Sequence, residues 1–325
     1  MMVEEFWKSY EVTINSYADL VSQIEEVFSR WGKKNKIFAW RGQTDASWPL
    51  HSSLYRRLLW SRGESFNERE MYQQEGKILT EVHRWGLHMS STLGRLSVLN
   101  QLAMLQHYGA PTRLIDITFN PWIAAWFAVE PKWKDGSLMN DEKDSRLFAI
   151  DVTGRLINET TDLRPWEDDF KRPWDGDPKK PDEDARRTYL TWCTKVFAWR
   201  PSHFDGRIAA QNGGFLFGGV PISTGPKGPN QWPKEPSGAW KIDEVRAATS
   251  VSLRPHKFDA KRGAVGVAQD AVYTFRIAGG AKNDIRERLE KQFGYKHSTI
   301  YPDFTGFVQF GTPEIRNTAP EKTLP

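Results

Sequence analysis

Cysteine is almost missing from this chain. One residue, Cys193, stands in 325, which excludes an internal disulfide framework and a zinc site built from several thiolates. A reducing, cytoplasmic location is the matching expectation. Long apolar runs are missing too. No stretch approaches the ~18 apolar residues of a membrane span, and the opening MMVEEFWKSYEV puts Glu4 and Glu5 where a signal peptide carries basic charge. Neither export nor membrane anchoring is expected. A glycine-rich phosphate loop is lacking, because QNGGFLFGG (Gln211 to Gly219) fits neither the P-loop nor the dinucleotide fingerprint. Carboxylate pairs at metal spacing are also not evident, which argues against a metal-dependent nuclease, and no metal site is expected. Charge of one sign is scarcely in excess: Lys+Arg is 45 against 41 for Asp+Glu, a net +4. That balance permits an anionic partner without requiring one.

What is present suits a globular fold, with 39% hydrophobic and 26% charged residues. At this length a large core can be buried. No internal repeat or sharp composition break divides the chain, so a single domain over 1–325 is expected. Two segments rich in Pro, Gly, Trp and charge, near 163–184 and 223–263, read as insertions, and loops of that length are commonly functional or mobile.

Helices are expected mainly in the first third. SYADLVSQIEEVFSRW repeats Leu20, Ile24 and Val27 at helical spacing behind a Ser16 cap. Met71, Ile78, Val82 and Trp85 recur in the same way. From Asn100 the pattern is a helix stopped at Gly109 and Pro111, a strand over Arg113 to Ile117, and a helix with Asn120 as cap and Pro121 at its first position. KIFAWRG, RLFAIDV, GFLFGGV and AVYTFRI have the β-branched and aromatic content of strands. The fold class is therefore α+β, with the later half mainly sheet. NDIRERLEKQF, closed by Gly294, is a further amphipathic helix.

Arg41 stands at the end of an aromatic strand-like run, beside Trp40 and Phe38, and is followed by Gly42 and Gln43. A guanidinium fork at such a rim suits a phosphate, which takes two parallel hydrogen bonds. Gly42 permits unusual backbone angles or the close approach of another group. A second concentration of polar groups, His107, Tyr108, Thr112, Arg113, Asp116 and Thr118, lies within a dozen residues at element ends, where side chains can enter a pocket.

The blocks FAWRGQTDASWPLHSSLYRR, LAMLQHYGAPTRLIDITFNPWIAAWFA and RIAAQNGGFLF resemble those of the FRG domain family, whose aromatic-Arg-Gly signature is here Trp40-Arg41-Gly42. The likeness extends over roughly residues 15–310. That family's pattern is in turn similar to the ADP-ribosyltransferase fold, a split, mostly antiparallel β-sandwich that binds NAD in a cleft. The resemblance implies that Arg41-Gly42 is the first-strand motif and that Asp116 to Thr118 is the Ser/Thr-type motif before a helix. A third strand ordinarily brings a catalytic Glu; here Gln211 stands at the corresponding place. The acid is left among Asp205, Glu235, Asp243, Glu244 and Asp303.

On that reading Arg41 is expected to bind the phosphates or ribose of NAD, with Gly42, Gln43, Thr112 and Arg113 beside it. Asp116 and Thr118 are expected to build the nicotinamide-ribose floor, Tyr108 to stack on the nicotinamide, and His107 to orient a reacting group or assist the acceptor. In TYLTWCTKVFAWRPSHF, the residues Trp192, Lys195, Trp199, Arg200 and His203 interleave aromatic and basic character, as in single-stranded nucleic-acid sites, although core-facing helices share that spacing. RNA or DNA is thus a candidate acceptor. The resemblance further implies a bacterial toxin or anti-phage role, with an antitoxin protein as a candidate partner. A nucleotide- or nucleic-acid-binding module without chemistry is the alternative expectation.

Overall fold

The computed structural model describes residues 3–31, 35–63, 65–91, 94–134, 137–159, 163–168, 172, 174, 183–201, 206–223, 232–234, 238–257 and 271–310. Eight strands form the main sheet: β1 (Glu11–Ile14), β2 (Phe38–Gln43), β3 (Ile115–Thr118), β4 (Ser145–Asp151), β5 (Val196–Trp199), β6 (Gly213–Gly218), β7 (Arg254–Pro255) and β8 (Ala271–Ile277). Their order is β1-β8-β4-β2-β3-β6-β5, with β7 also beside β8. Pairing is antiparallel except that β1 and β7 run parallel to β8. After a short helix at Val3–Lys8, the longer helices are α1 (Tyr17–Trp31), α2 (Ser53–Arg62), α3 (Glu68–Arg84) and α4 (Val98–His107) before β3, and α5 (Pro121–Val129), α6 (Glu183–Thr194) and α7 (Lys282–Phe293) among those after it. The α+β class agrees with the sequence reading, but the later half is not mainly sheet: Glu183–Thr194, Ile242–Ala248, Lys282–Phe293 and Phe304–Phe310 are helical there.

Period-two alternation decides which residues face which layer. Trp40, Leu147, Ala149, Tyr273 and Phe275 bury one side of the sheet under Leu20, Ile24, Trp126, Ile285 and Leu289 from α1, α5 and α7. Ala39, Phe148, Ile150 and Val272 face the opposite layer with Phe6, Trp7, Trp240 and Val245. A third core joins Leu99 and Leu102 of α4 to Trp192, Phe197, Trp199 and Phe217.

The sheet changes character between β2 and β3. Along β2 and β4 the register runs unbroken from Phe38↔Asp151 to Gln43↔Arg146, whereas β2 and β3 pair only at Trp40↔Thr118. At this junction the Arg41 side chain reaches across, its Nη1 donating to the Asp116 carbonyl at 2.5 Å. A side chain thus takes a carbonyl in the junction where the strand ladder is not formed.

Two expectations change. The strand after α4 runs Ile115–Thr118, not Arg113 to Ile117, because the Arg113 side chain is drawn into a buried ion cluster before the strand starts. The insertions are not wholly loop: Trp174 packs against Trp192 with ring centroids 4.7 Å apart, Trp232 and Trp240 are buried, and Ile242–Ala248 is helical. Residues 169–171, 173, 175–182, 224–231, 235–237 and 258–263 of those segments lie outside the described residues.

Candidate functional site at the β2–β3 junction

A cleft of about 360 Å³ opens at this junction, within the range of about 300–1,000 Å³ typical of small-molecule sites. Gly42 explains how it is built. A Cβ there would sit 2.0 Å from the Ala124 carbonyl oxygen and 2.5 Å from the Ala128 nitrogen, so only glycine lets α5 lie directly on β2. The close-approach alternative is therefore the operative one. Packed this way, α5 brings Phe127 and the following Glu130 into the cleft wall. The start of α5 is set by Asn120, whose side chain accepts from the backbone N–H of Trp122 at 2.9 Å with Pro121 following it.

Arg41 forms part of the wall. Burial pulls its pKa down while Asp116 pulls it back up, and its buried Nε has no hydrogen-bond partner among the described residues. A charged donor left so within a cleft is a place for an anion or carbonyl to bind. Thr118 also lines the cleft, but its hydroxyl is engaged. It donates to the Gln211 carbonyl at 2.6 Å and accepts from the Asn120 N–H at 3.0 Å, tying the β3–α5 turn to the approach of β6. Gln211 lines the same wall, its Nε2 donating to the Ile300 carbonyl at 3.0 Å. Asp116 accepts from Gln106 Nε2 at 2.8 Å, and Gln43 is held by the Pro49 carbonyl at 3.2 Å. His107 is in the wall as well. The structure thus gathers Arg41, Gly42, Gln43, His107, Asp116, Thr118 and Gln211 from three separate blocks of sequence.

Three expected site residues fall elsewhere. Tyr108 packs edge-on against His107 and is 78% exposed outside the cleft. Thr112 is buried behind the wall, bonding Gln106 Oε1 and accepting from the Leu114 N–H. Arg113 is wholly enclosed: its Nε and Nη2 meet the two Glu75 oxygens at 2.6 and 3.1 Å, its Nη1 meets Glu68 at 3.1 Å, and its Cζ lies 4.9 and 5.1 Å from the Trp174 and Trp192 rings. It is a core ion cluster, not a ligand contact. Trp192 and Trp199 are likewise buried, their indole N–H groups donating to Glu68 and Glu167. They cannot stack bases. Arg200 lies over the Phe119 ring at 4.1 Å and Lys195 is exposed, while His203 lies outside the described residues.

The open question of the acid is redrawn. Asp205 and Glu235 lie outside the described residues. Asp243 accepts from Ser65 and Glu244 caps the Lys241 N–H, and neither lines the cleft. Asp303 is clamped by Arg207 Nε and Nη2 at 2.5 and 2.7 Å. The carboxylates that do line the cleft are Asp116 and Glu130. Glu130 escaped the sequence reading. It ends an apolar helix with an acid, PWIAAWFAVE, which would ordinarily be a solvated terminus. Here it is buried, paired with Lys132, accepting from Tyr301 at 2.9 Å, with His297 at 3.6 Å. Burial alone would raise its pKa; His297, Lys132 and Tyr301 outweigh that, and the carboxyl sits below its ordinary value. Tyr301, whose own pKa is raised by burial and then by Glu130, completes this wall with Arg207 beneath its ring.

Among the described residues no group of three or more His, Cys, Asp or Glu is placed to hold a metal ion, and no helix is long and apolar enough to cross a membrane. A mixed α+β domain with a polar cleft at an interrupted strand junction is the class so far defined. Residues 36–136 match the sequence model of the FRG domain. The matched span includes β2, β3, α5 and the cleft residues from Arg41 to Glu130; RIAAQNGGFLF lies beyond it yet supplies Gln211, Gly213, Gly214 and Phe215 to the same wall. Comparison with curated proteins and with solved structures finds no match.

Proposed function

We propose that the protein is an NAD-dependent ADP-ribosyltransferase that moves ADP-ribose onto a macromolecular acceptor, with a base of RNA or DNA as one candidate class beside protein. The observation that carries this reading is Arg41. Its side chain lines the cleft, and its Nε has no hydrogen-bond partner among the described residues, in a wall that also holds one buried, ionised carboxylate, Glu130. The interrupted pairing of β2 with β3 supports an ADP-ribosyltransferase-like split of the sheet. In this reaction the glycosidic C–N bond breaks with its electron pair leaving on nicotinamide, and the acceptor forms the new bond to the ribose carbon as it loses a proton. Arg41 binds the anionic part of NAD. Glu130 offers negative charge to the oxocarbenium-like state, an interaction strengthened where water is excluded. His107 is the wall residue suited to receive the acceptor proton. Phe127, Phe215 and Tyr301 supply flat apolar surface for rings. A toxin or anti-phage role, restrained by an antitoxin protein in a reducing cytoplasm, is the biological setting this chemistry suits.

A second reading has its own support. Glu130 is engaged by Lys132, Tyr301 and His297 together, which suits a nucleotide-binding module that does no chemistry. Incubation with labelled NAD and separate RNA, DNA and protein pools separates the two. The transferase reading expects nicotinamide release and label in one pool, both lost in Arg41→Ala, a variant expected to fold yet lose NAD binding. Binding of NAD with neither release nor transfer supports the module. Unchanged NAD affinity in Arg41→Ala sinks the role given to Arg41 in both.

A further inference from the structure

A second cavity, of about 130 Å³, shares Arg41, Gln106 and Asp116 with the cleft and continues to His51, Ser53 and Arg56. Its size suits a phosphate group better than a nucleoside. Its charge is unbalanced: the Arg41 and Arg56 guanidiniums face it against the single carboxylate of Asp116. Burial pushes the Arg41 pKa down, Asp116 pulls it up and the nearby Arg56 charge pushes it down again. His51 adds no charge. Burial lowers its pKa to about 4, so it is neutral at pH 7.

Hydrogen bonding points the same way. Arg56 spends one donor, Nη1, on the His51 carbonyl at 2.9 Å. His51 Nε2 lies 2.8 Å from the Arg246 carbonyl and so carries the proton. That leaves Nδ1 as a bare acceptor on a side chain only 4% exposed, with no partner among the described residues. Arg41 Nε is likewise buried with no hydrogen-bond partner among the described residues. Ser53, the first residue of the ten-residue α2, brings the positive end of a helix to the same wall. Two guanidiniums and one nitrogen acceptor form the complement of a phosphate beside a sugar hydroxyl, the Leu54 and Tyr55 N–H groups of α2 being bonded to Thr112 and Ser52.

We propose that this cavity is a phosphate subsite in which Arg41 and Arg56 together hold a diphosphate, with His51 Nδ1 accepting from a neighbouring ribose hydroxyl. Assigning that diphosphate to NAD rests on the transferase reading; the phosphate site itself does not. Arg56 then sets affinity for the dinucleotide from outside the main cleft.

Calorimetric titration of the full chain with inorganic pyrophosphate, and separately with NAD, tests this. The wild type is expected to bind pyrophosphate, and Arg56→Ala to weaken it roughly tenfold or more, the scale of a lost charge-assisted hydrogen bond. Arg56→Gln, which keeps a donor for the His51 carbonyl, is expected to weaken it similarly, so that loss of charge and not of fold is read. No pyrophosphate binding by the wild type, or equal binding by folded Arg56→Ala, overturns the site. Arg56-dependent pyrophosphate binding without NAD binding keeps the phosphate site and removes the NAD reading. NAD binding that ignores Arg56, with pyrophosphate unbound, does the reverse.

Discussion

Arg41 and Arg113 look alike in sequence, each beside a strand and near Asp or Thr, and the structure gives them opposite employment. Arg113 meets two buried glutamates and two indole faces. Glu68, whose pKa burial raises most strongly against the pull of Arg113, also accepts from Trp192 Nε1 and the Val220 N–H. Removing one partner of such a cluster strands the others in low dielectric. Arg113→Ala is therefore expected to destabilise the fold by about 3–5 kcal/mol, seen as a lower urea midpoint, while NAD affinity of the protein still folded stays near wild type. A midpoint that does not move would show the cluster to be solvated. Among the described residues Arg41 has no glutamate partner of this kind, and the Asp116 carbonyl and carboxylate lie nearby. That difference makes it available to a ligand.

Among the elements, α5 matters most to the site. It follows β3 after one intervening residue and a side-chain cap, buries Ile123, Ala124, Trp126 and Val129, and delivers Phe127 and Glu130 to the cleft. Its contact with β2 tolerates no side chain at position 42. Gly42→Ala places a methyl within 2.0 Å of backbone in α5, and backbone cannot yield as a flexible side chain does. A loss of about 3 kcal/mol is expected, together with weaker NAD binding as the wall is displaced. Denaturant unfolding and calorimetry read the two effects. Full stability in Gly42→Ala would mean that α5 can shift at no cost. The same packing explains why an aromatic, an arginine and a glycine stand side by side: Trp40 fills the core under α5, Arg41 turns to the cleft and Gly42 admits the helix.

For the molecule as a whole, the response to pH follows from what folding buries. His51 titrates near 6.5 when unfolded and about 4 when folded. Between those values the unfolded chain binds the proton and the native one does not, so stability rises with pH across this window and falls as acid is added. The contribution is roughly 3 kcal/mol in full. His256, also lowered by burial, acts in the same direction. Carboxylates held low, Asp45, Asp144 and Glu130, begin to matter only below their ordinary 3.8 and 4.5. Unfolding free energy measured from pH 6.5 down to 4.5 is expected to decline in the wild type and less steeply in His51→Gln. Equal slopes would show that His51 takes up its proton in the native state.

Much was legible in the chain itself, for a local reason. Helices α1 and α5 with their Ser16 and Asn120 caps, the strand at Trp40-Arg41-Gly42 and the α+β class follow from side-chain periodicity and capping, which neighbours a few residues away decide. The family likeness was legible in the same way, since it lies in runs of adjacent residues. The cleft is another matter, because its wall joins β2, β3, α5 and the approach to β6 across more than a hundred residues. Which arginine is enclosed and which faces the cleft depends on Glu68 and Glu75, supplied by a distant helix. Whether a terminal acid such as Glu130 is solvated or buried depends on Tyr301 and His297 folding back over it. Burial and charge pairing are set by what arrives from elsewhere in the chain, and only the tertiary structure decided them.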